Sequence, residues 1–263
     1  MRQFLQTVRD LWRDPMGRIG MIGIFLLIVV AIIAPTIAPY GPEQMVAMPQ
    51  LAPCSEYWFG TDNYGRDIFS RIIYGARVSL EVGIIAVGIG ATAGYVLGLI
   101  AGYFEGIVDR VIMCVMDILF AFPSILLAIF ISVVLGRGLG PTMVAIGIVN
   151  IPVFARTVRA AVISAKGLEY VSNARSVGVR TGAILVRHIS PNVVAPFTVQ
   201  ATLALSSAIL TEASMSFLGL GIQPPDPSWG SMLSESRTFM EHSPWMALFP
   251  ILFIVITILL FNI

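Results

Sequence analysis

Hydrophobic residues gather along this chain in six long runs separated by polar stretches. A bilayer core about 30 Å thick takes about 20 helical residues, and every backbone group inside it must bond internally, so each run predicts a spanning helix. The runs lie at about 19 to 38, 79 to 101, 112 to 135, 142 to 163, 193 to 218 and 245 to 263. The first stays apolar from Ile19 to Ile37. That exceeds the about 7 to 15 apolar residues of a secretory signal, so a retained span is expected.

Composition agrees with this pattern: 57% of residues are hydrophobic and 12% charged, against about 25% charged in a soluble domain. A net charge of +1 gives no electrostatic signature for nucleic acid. The distribution of the cations is more informative, because cytoplasmic loops retain Lys and Arg. With both termini inside, Arg2, Arg9, Arg13, Arg18, Arg110, Arg156, Arg159, Lys166, Arg175, Arg180 and Arg187 are inner, and only Arg66, Arg71, Arg77, Arg137 and Arg237 are outer. The expected order is a cytoplasmic segment at about 1–18, a first span at about 19–38, an outer loop at about 39–78, and five further spans over about 79–263 with a cytoplasmic loop at about 165–192. The fold class is an all-α membrane protein with six transmembrane helices.

Two polar stretches carry helical periodicity of their own. In the outer run GTDNYGRDIFSRIIYGARVSL, Ile68, Ile72 and Ile73 recur among Asp67, Ser70 and Arg71, predicting an amphipathic helix at the outer interface that feeds the second span. In the cytoplasmic run GLEYVSNARSVGVRTGAILVRHISPN, Tyr170, Val171, Ala174, Val177 and Val179 form one side of a short helix. Glu169, Asn173, Arg175, Arg180 and Arg187 form the other. Gly178 permits a sharp change of direction, and Pro191 marks the entry to the next span. A solvent-facing loop has no need of an apolar side, so headgroups or a protein should cover it.

Within the spans, Gly90, Gly94, Gly98 and Gly102 fall on one helix face and allow close backbone approach, either inside this chain or against a second subunit. Charges are costly in a bilayer unless they face protein or water. Asp117 and Glu212 therefore need a partner helix or a pathway, and Ser214 and Ser216 extend the polar stripe of Glu212. Glu81 is near enough to its span's outer end to reach the interface. Asn150 and Pro152 interrupt the fourth run and Pro123 the third, predicting kinks. The outer loop holding Pro224, Pro225, Pro227 and Trp229 is a candidate outer gate or contact for an external protein, or else it packs on its own domain.

Catalytic chemistry finds little material. Cys54 and Cys114 are too few for a disulfide framework or a zinc site, and His188 and His242 lie on opposite faces of the membrane, which leaves no metal hydrolase. No Gly-x4-Gly-Lys-Ser/Thr run occurs, so any nucleotide energy must come from another chain. No cofactor is expected on this one.

The cytoplasmic run resembles the EAA loop of ABC importer permeases, with Ser172, Asn173 and Ala174 at the Glu-Ala-Ala positions, then Gly178 and the closing Pro191. Ser172 and Asn173 depart from the pattern. GTDNYGRDIFSRIIYGARVSL, MDILFAFPSILLA and EASMSFLGLGIQPPDPSWGSML are similar to signatures of the dipeptide, oligopeptide and nickel permease family, in its second-permease (C-type) branch. The resemblance implies a type I ABC importer permease fold, a second, B-type permease, two ATPase subunits holding ATP and Mg, an external substrate-binding protein, and a bacterial inner membrane. It makes 165–192 the coupling loop. Bulk at Ala174 or Gly178 would then block docking into the ATPase, and Arg175 and Arg180 would contact its rim. Relatives continue past the last span with a short Asp-, Arg- and Leu-rich tail, whereas this sequence stops at Ile263.

Peptides are the expected cargo, with glutathione or nickel complexes as the family's alternatives. From other classes, an ion-coupled secondary transporter would use Asp117 and Glu212, and an intramembrane enzyme would need a nucleophile–base pair that the sequence does not offer.

Overall fold

The computed structural model describes residue 12 and residues 14–223 and 226–263. Its helices are α1 (Pro15–Ile32), α2 (Ile68–Phe104), α3 (Gly106–Phe120), α4 (Ser124–Leu135), α5 (Leu139–Lys166), α6 (Glu169–Ser176), α7 (Thr181–Phe217), α8 (Trp229–Ser236) and α9 (Trp245–Asn262). No strand is found among the described residues. Helices α1, α2, α5, α7 and α9 are each long and apolar enough to cross a membrane, and α3 with α4 makes the sixth span when the pair is counted as one.

Each apolar run thus appears as helix, with three departures. The third run is not one rod: the kink predicted at Pro123 is a full break, with α3 and α4 meeting at 92° across residues 121–123. Pro123 removes a backbone donor and crowds the preceding turn, yet Pro152, Pro196 and Pro250 sit inside continuous helices. Second, the helix holding the fifth run begins at Thr181, ten residues before Pro191, and runs through it. A π-helical stretch at Ile184–Ile189 widens the backbone just ahead of that proline, where a tight α-turn would clash with its ring.

The third departure concerns the outer stretch before the second span. Residues 68–78 are helical and fuse with the span into the 37-residue α2, about 55 Å long. The stretch does not lie as an amphipathic surface helix with a wet polar face. Ile68, Ile72 and Ile73 are buried, and so are Asp67, Ser70 and Arg71.

The chain forms two compact units. One comprises the described residues up to 84, with those of 135–142 and 205–263. Its core gathers Ala31, Ala76, Leu80, Ile209, Ala213, Trp229 and Ile254, with a neighbouring cluster of Ile68, Ile72, Met232 and Met246. Helix α8 starts where Ser228 and Ser231 exchange side-chain-to-backbone hydrogen bonds of 2.9 and 3.1 Å, a reciprocal cap.

The other unit comprises 85–134 and 143–204, and its helices α2 and α5 meet along the glycine face. A Cβ at Gly90 would lie 2.8 Å from Gly147 O, at Gly94 2.5 Å from Phe154 Cβ, at Gly98 2.6 Å from Ala155 O, and at Gly102 2.8 Å from Val162 Cβ. The stripe therefore packs inside this chain. Gly98→Leu is expected to destabilise the protein by about 1–3 kcal/mol or more through overpacking. A detergent-unfolding titration checks this; an unchanged midpoint would contradict the seam.

Candidate functional site

The run at residues 167–192 folds as its periodicity predicts, with one inversion of meaning. Helix α6 carries Glu169 in its first turn and Arg175 in its last, each complementing the helix dipole. It ends in a Schellman cap: Val179 N donates to Ala174 O (3.1 Å) and Gly178 N to Arg175 O (3.0 Å). Gly178 takes φ +76° with open space around its missing side chain, so the backbone, not crowding, selects glycine there.

Val171 and Ala174 do not face outward. They join Tyr103, Val158, Val162, Ala165, Ile184, Ile189 and Val193 in the core of their own unit. Ala174 is 8% exposed. This corrects the expectation that Ala174 itself meets a docking partner: the apolar side of α6 is what seats it on its own chain. The outward surface consists of Glu169, Ser172, Asn173, Arg175, Gly178 and Arg180, all exposed, with Val177 at 79% and Tyr170 at the edge. Tyr170 Oη donates to His188 O (3.2 Å) and accepts from Asn192 Nδ2 (2.7 Å), pinning α6 to α7. Arg187 and Pro191 are exposed farther along.

The seat has members that sequence reasoning missed. Lys166 Nζ donates to Tyr103 O (2.7 Å) and Glu105 Oε1 (2.8 Å), and the charges of Lys166 and Arg175 lie 5.5 and 5.6 Å from the Tyr103 ring centre. Lys166 is the sole lysine of the chain, a compositional signal that could have marked it.

The polar residues of the spans separate into different environments. Glu212 is fully buried and accepts from Ser79 Oγ (3.2 Å) and Ser216 Oγ (2.8 Å), while Ser216 Oγ accepts from Ile222 N (3.1 Å). This arrangement ties helices and the following loop together. Ser214 bonds back to Leu210 O of its own helix (2.8 Å), and Asn150 to Ile146 O (2.8 Å), with Asn150 at the glycine seam. Asp117 differs. Its Oδ1 accepts from Arg156 Nη2 at 2.6 Å, the two side chains being 64% and 48% exposed. Each charge at mid-bilayer costs about 2.5–3.5 kcal/mol unless water or protein covers it.

Trp229 is wholly buried and its Nε1 donates to Ile72 O (3.1 Å). It is a core residue, which removes it from any gate or external contact. Pro224 and Pro225 lie outside the described residues. The feature built on α8 instead is a charge cluster: Asp62 Oδ2 accepts from Arg66 Nε and Arg71 Nη1, and Glu235 Oε2 accepts from Arg66 Nη2 and Arg71 Nη1, all at 2.6 Å. It locks the GTDNYGRD stretch to α8.

Among known families, residues 94–263 match the binding-protein-dependent transport system inner membrane component, and residues 3–53 match the N-terminal TM domain of oligopeptide transport permease C. The chain belongs to the first of these families and is a multi-pass membrane permease. It is 45% identical over 258 residues to the dipeptide transport system permease protein DppC of Alkalihalophilus pseudofirmus, covering 98% of this chain and 85% of that one. To the glutathione transport system permease protein GsiD of Pectobacterium atrosepticum it is 44% identical over 267 residues, covering 98% and 89%. An inward-facing structure of the MetNI methionine ABC transporter matches with a TM-score of 0.60 and 18% identity, covering 72% of this chain and 90% of that one. The fold is that of an ABC importer permease.

Proposed function

We propose that this chain is the C-type permease of an ATP-driven peptide importer, forming half of a translocation pathway with a B-type permease. Two ATPase subunits lie on its cytoplasmic face and hold ATP and Mg, and an external binding protein delivers cargo. The chain itself binds no cofactor. Both termini are cytoplasmic, in a bacterial inner membrane, with lipid around the spans. The observation that carries this reading is α6: a helix capped at Gly178, seated by Val171 and Ala174, and presenting an exposed polar face. Closure of the ATPase pair would push on that face, and the seat would pass the displacement into the spans. Di- or oligopeptides are the favoured cargo because of the dipeptide relative, and glutathione, itself a peptide, is the alternative because of the other.

The test is uptake of a labelled dipeptide by proteoliposomes holding this chain, its partner permease and the ATPases, with the binding protein added. ATP-dependent accumulation is expected. Accumulation by this chain alone on a proton or sodium gradient would overturn the reading.

A further inference from the structure

One charged pair in the membrane region is built differently from the rest. Beside α3 and α5 lies an open groove of about 570 Å³ whose lining includes Asp109, Arg110, Cys114, Asp117, Arg156 and Arg159. That is the size of a site for a small ligand. Away from this lining, the exposed side chains of α3 are hydrocarbon: Ile107, Val108, Val111, Val115, Ile118 and Phe120. Asp117 follows Gly106 by about eleven residues, placing it about 16 Å along the helix. Lipid does not solvate a charge placed there, so water, a ligand or protein must cover it.

The two ion pairs of the groove have opposite characters. Arg159 grips Asp109 with both Nε (2.5 Å) and Nη2 (2.6 Å), a two-pronged and partly buried contact. Asp117 and Arg156 share a single bond and stay open. An exposed single-bond pair contributes little to stability, so its members exchange partners at small cost. Arg156 also lies with its guanidinium 4.1 Å from the ring centre of Phe120, which holds it in place when Asp117 turns away.

We propose that Asp117 and Arg156 form a subsite for the charged ends of a peptide, Asp117 taking the ammonium and Arg156 the carboxylate. This rests on the permease reading above. A guanidinium suits a carboxylate because its planar fork gives two parallel bonds. With three arginines against two aspartates, the groove carries a surplus positive charge that also admits a cargo with one extra carboxylate.

Cys114 is a native reporter in the same wall. The full complex carrying Cys54→Ser, in nanodiscs, is treated with a permanently charged methanethiosulfonate. Cys114 should label. Alanylalanine should slow labelling, and its N-acetylated, C-amidated form should not. Asp117→Asn or Arg156→Gln should raise the half-protecting concentration about tenfold or more, the loss expected for one charge-assisted bond. An unreactive Cys114, as under lipid or a partner helix, overturns the subsite, and so does equal protection by the blocked peptide. ATP-driven uptake by the same preparation is scored separately: its absence removes the permease reading itself, whereas its presence without protection removes only the subsite.

Discussion

Ala174→Arg is expected to lower ATP-driven uptake about 100-fold or more and to lower the thermal stability of the purified complex with it. Ala174 is buried in the seat of α6. An arginine there would either bury an unpaired guanidinium, at a cost of about 3–5 kcal/mol, or lift the helix off its own chain. Since each 1.4 kcal/mol is a factor of about ten, few molecules would keep the native seat. Ser172→Arg supplies the contrast, because Ser172 is on the exposed face. It should impair uptake through the ATPase contact and leave the melting temperature within about 2 °C. Normal uptake by Ala174→Arg would sink the seating model, and normal uptake by Ser172→Arg would sink the outward docking face.

Arg71→Ala should have the largest effect on the charge cluster that joins residues 61–71 to α8. The Arg71 side chain is 2% exposed and bonds both Asp62 and Glu235. Its loss leaves carboxylates underneutralised in a dry setting, a change that costs about 3–5 kcal/mol when one partner of a buried pair is removed. Cleavage of the 42–67 segment by an added protease should accelerate accordingly. Arg71→Met combined with Glu235→Met should recover much of the stability, because it removes one charge of each sign and leaves Asp62 with Arg66. If Arg71→Ala resists protease like the parent, the cluster contributes nothing to stability.

The apolar runs make the spanning helices legible, since only internally bonded helices fit there, and the periodicity of 169–179 marks α6. What periodicity conveys is which side of a helix avoids water. It does not tell whether the cover is the same chain or another, so it puts Ala174 on the covered side of α6 without naming the cover, and only the fold decides between self-packing and external contact for Trp229. Proline is similarly ambiguous. Pro123 accompanies a 92° bend while Pro152 sits within a continuous helix, because the outcome depends on what packs around the freed carbonyl. The outer cluster is illegible for another reason: Arg71 and Glu235 are 164 positions apart. Asp117 is recognisable as a misplaced charge, but its pairing with Arg156 spans 39 positions and requires the fold.

The cap at Gly178 bears on how much change in length the α6 segment tolerates. One residue inserted between Gly167 and Gly178 would rotate the downstream part of the helix by about 100°, swinging Val171 or Ala174 into water. The seat therefore fixes the length of that stretch, whereas its outer side answers to whatever docks there. Gly178, whose left-handed backbone ends the helix without crowding, marks where that register requirement stops.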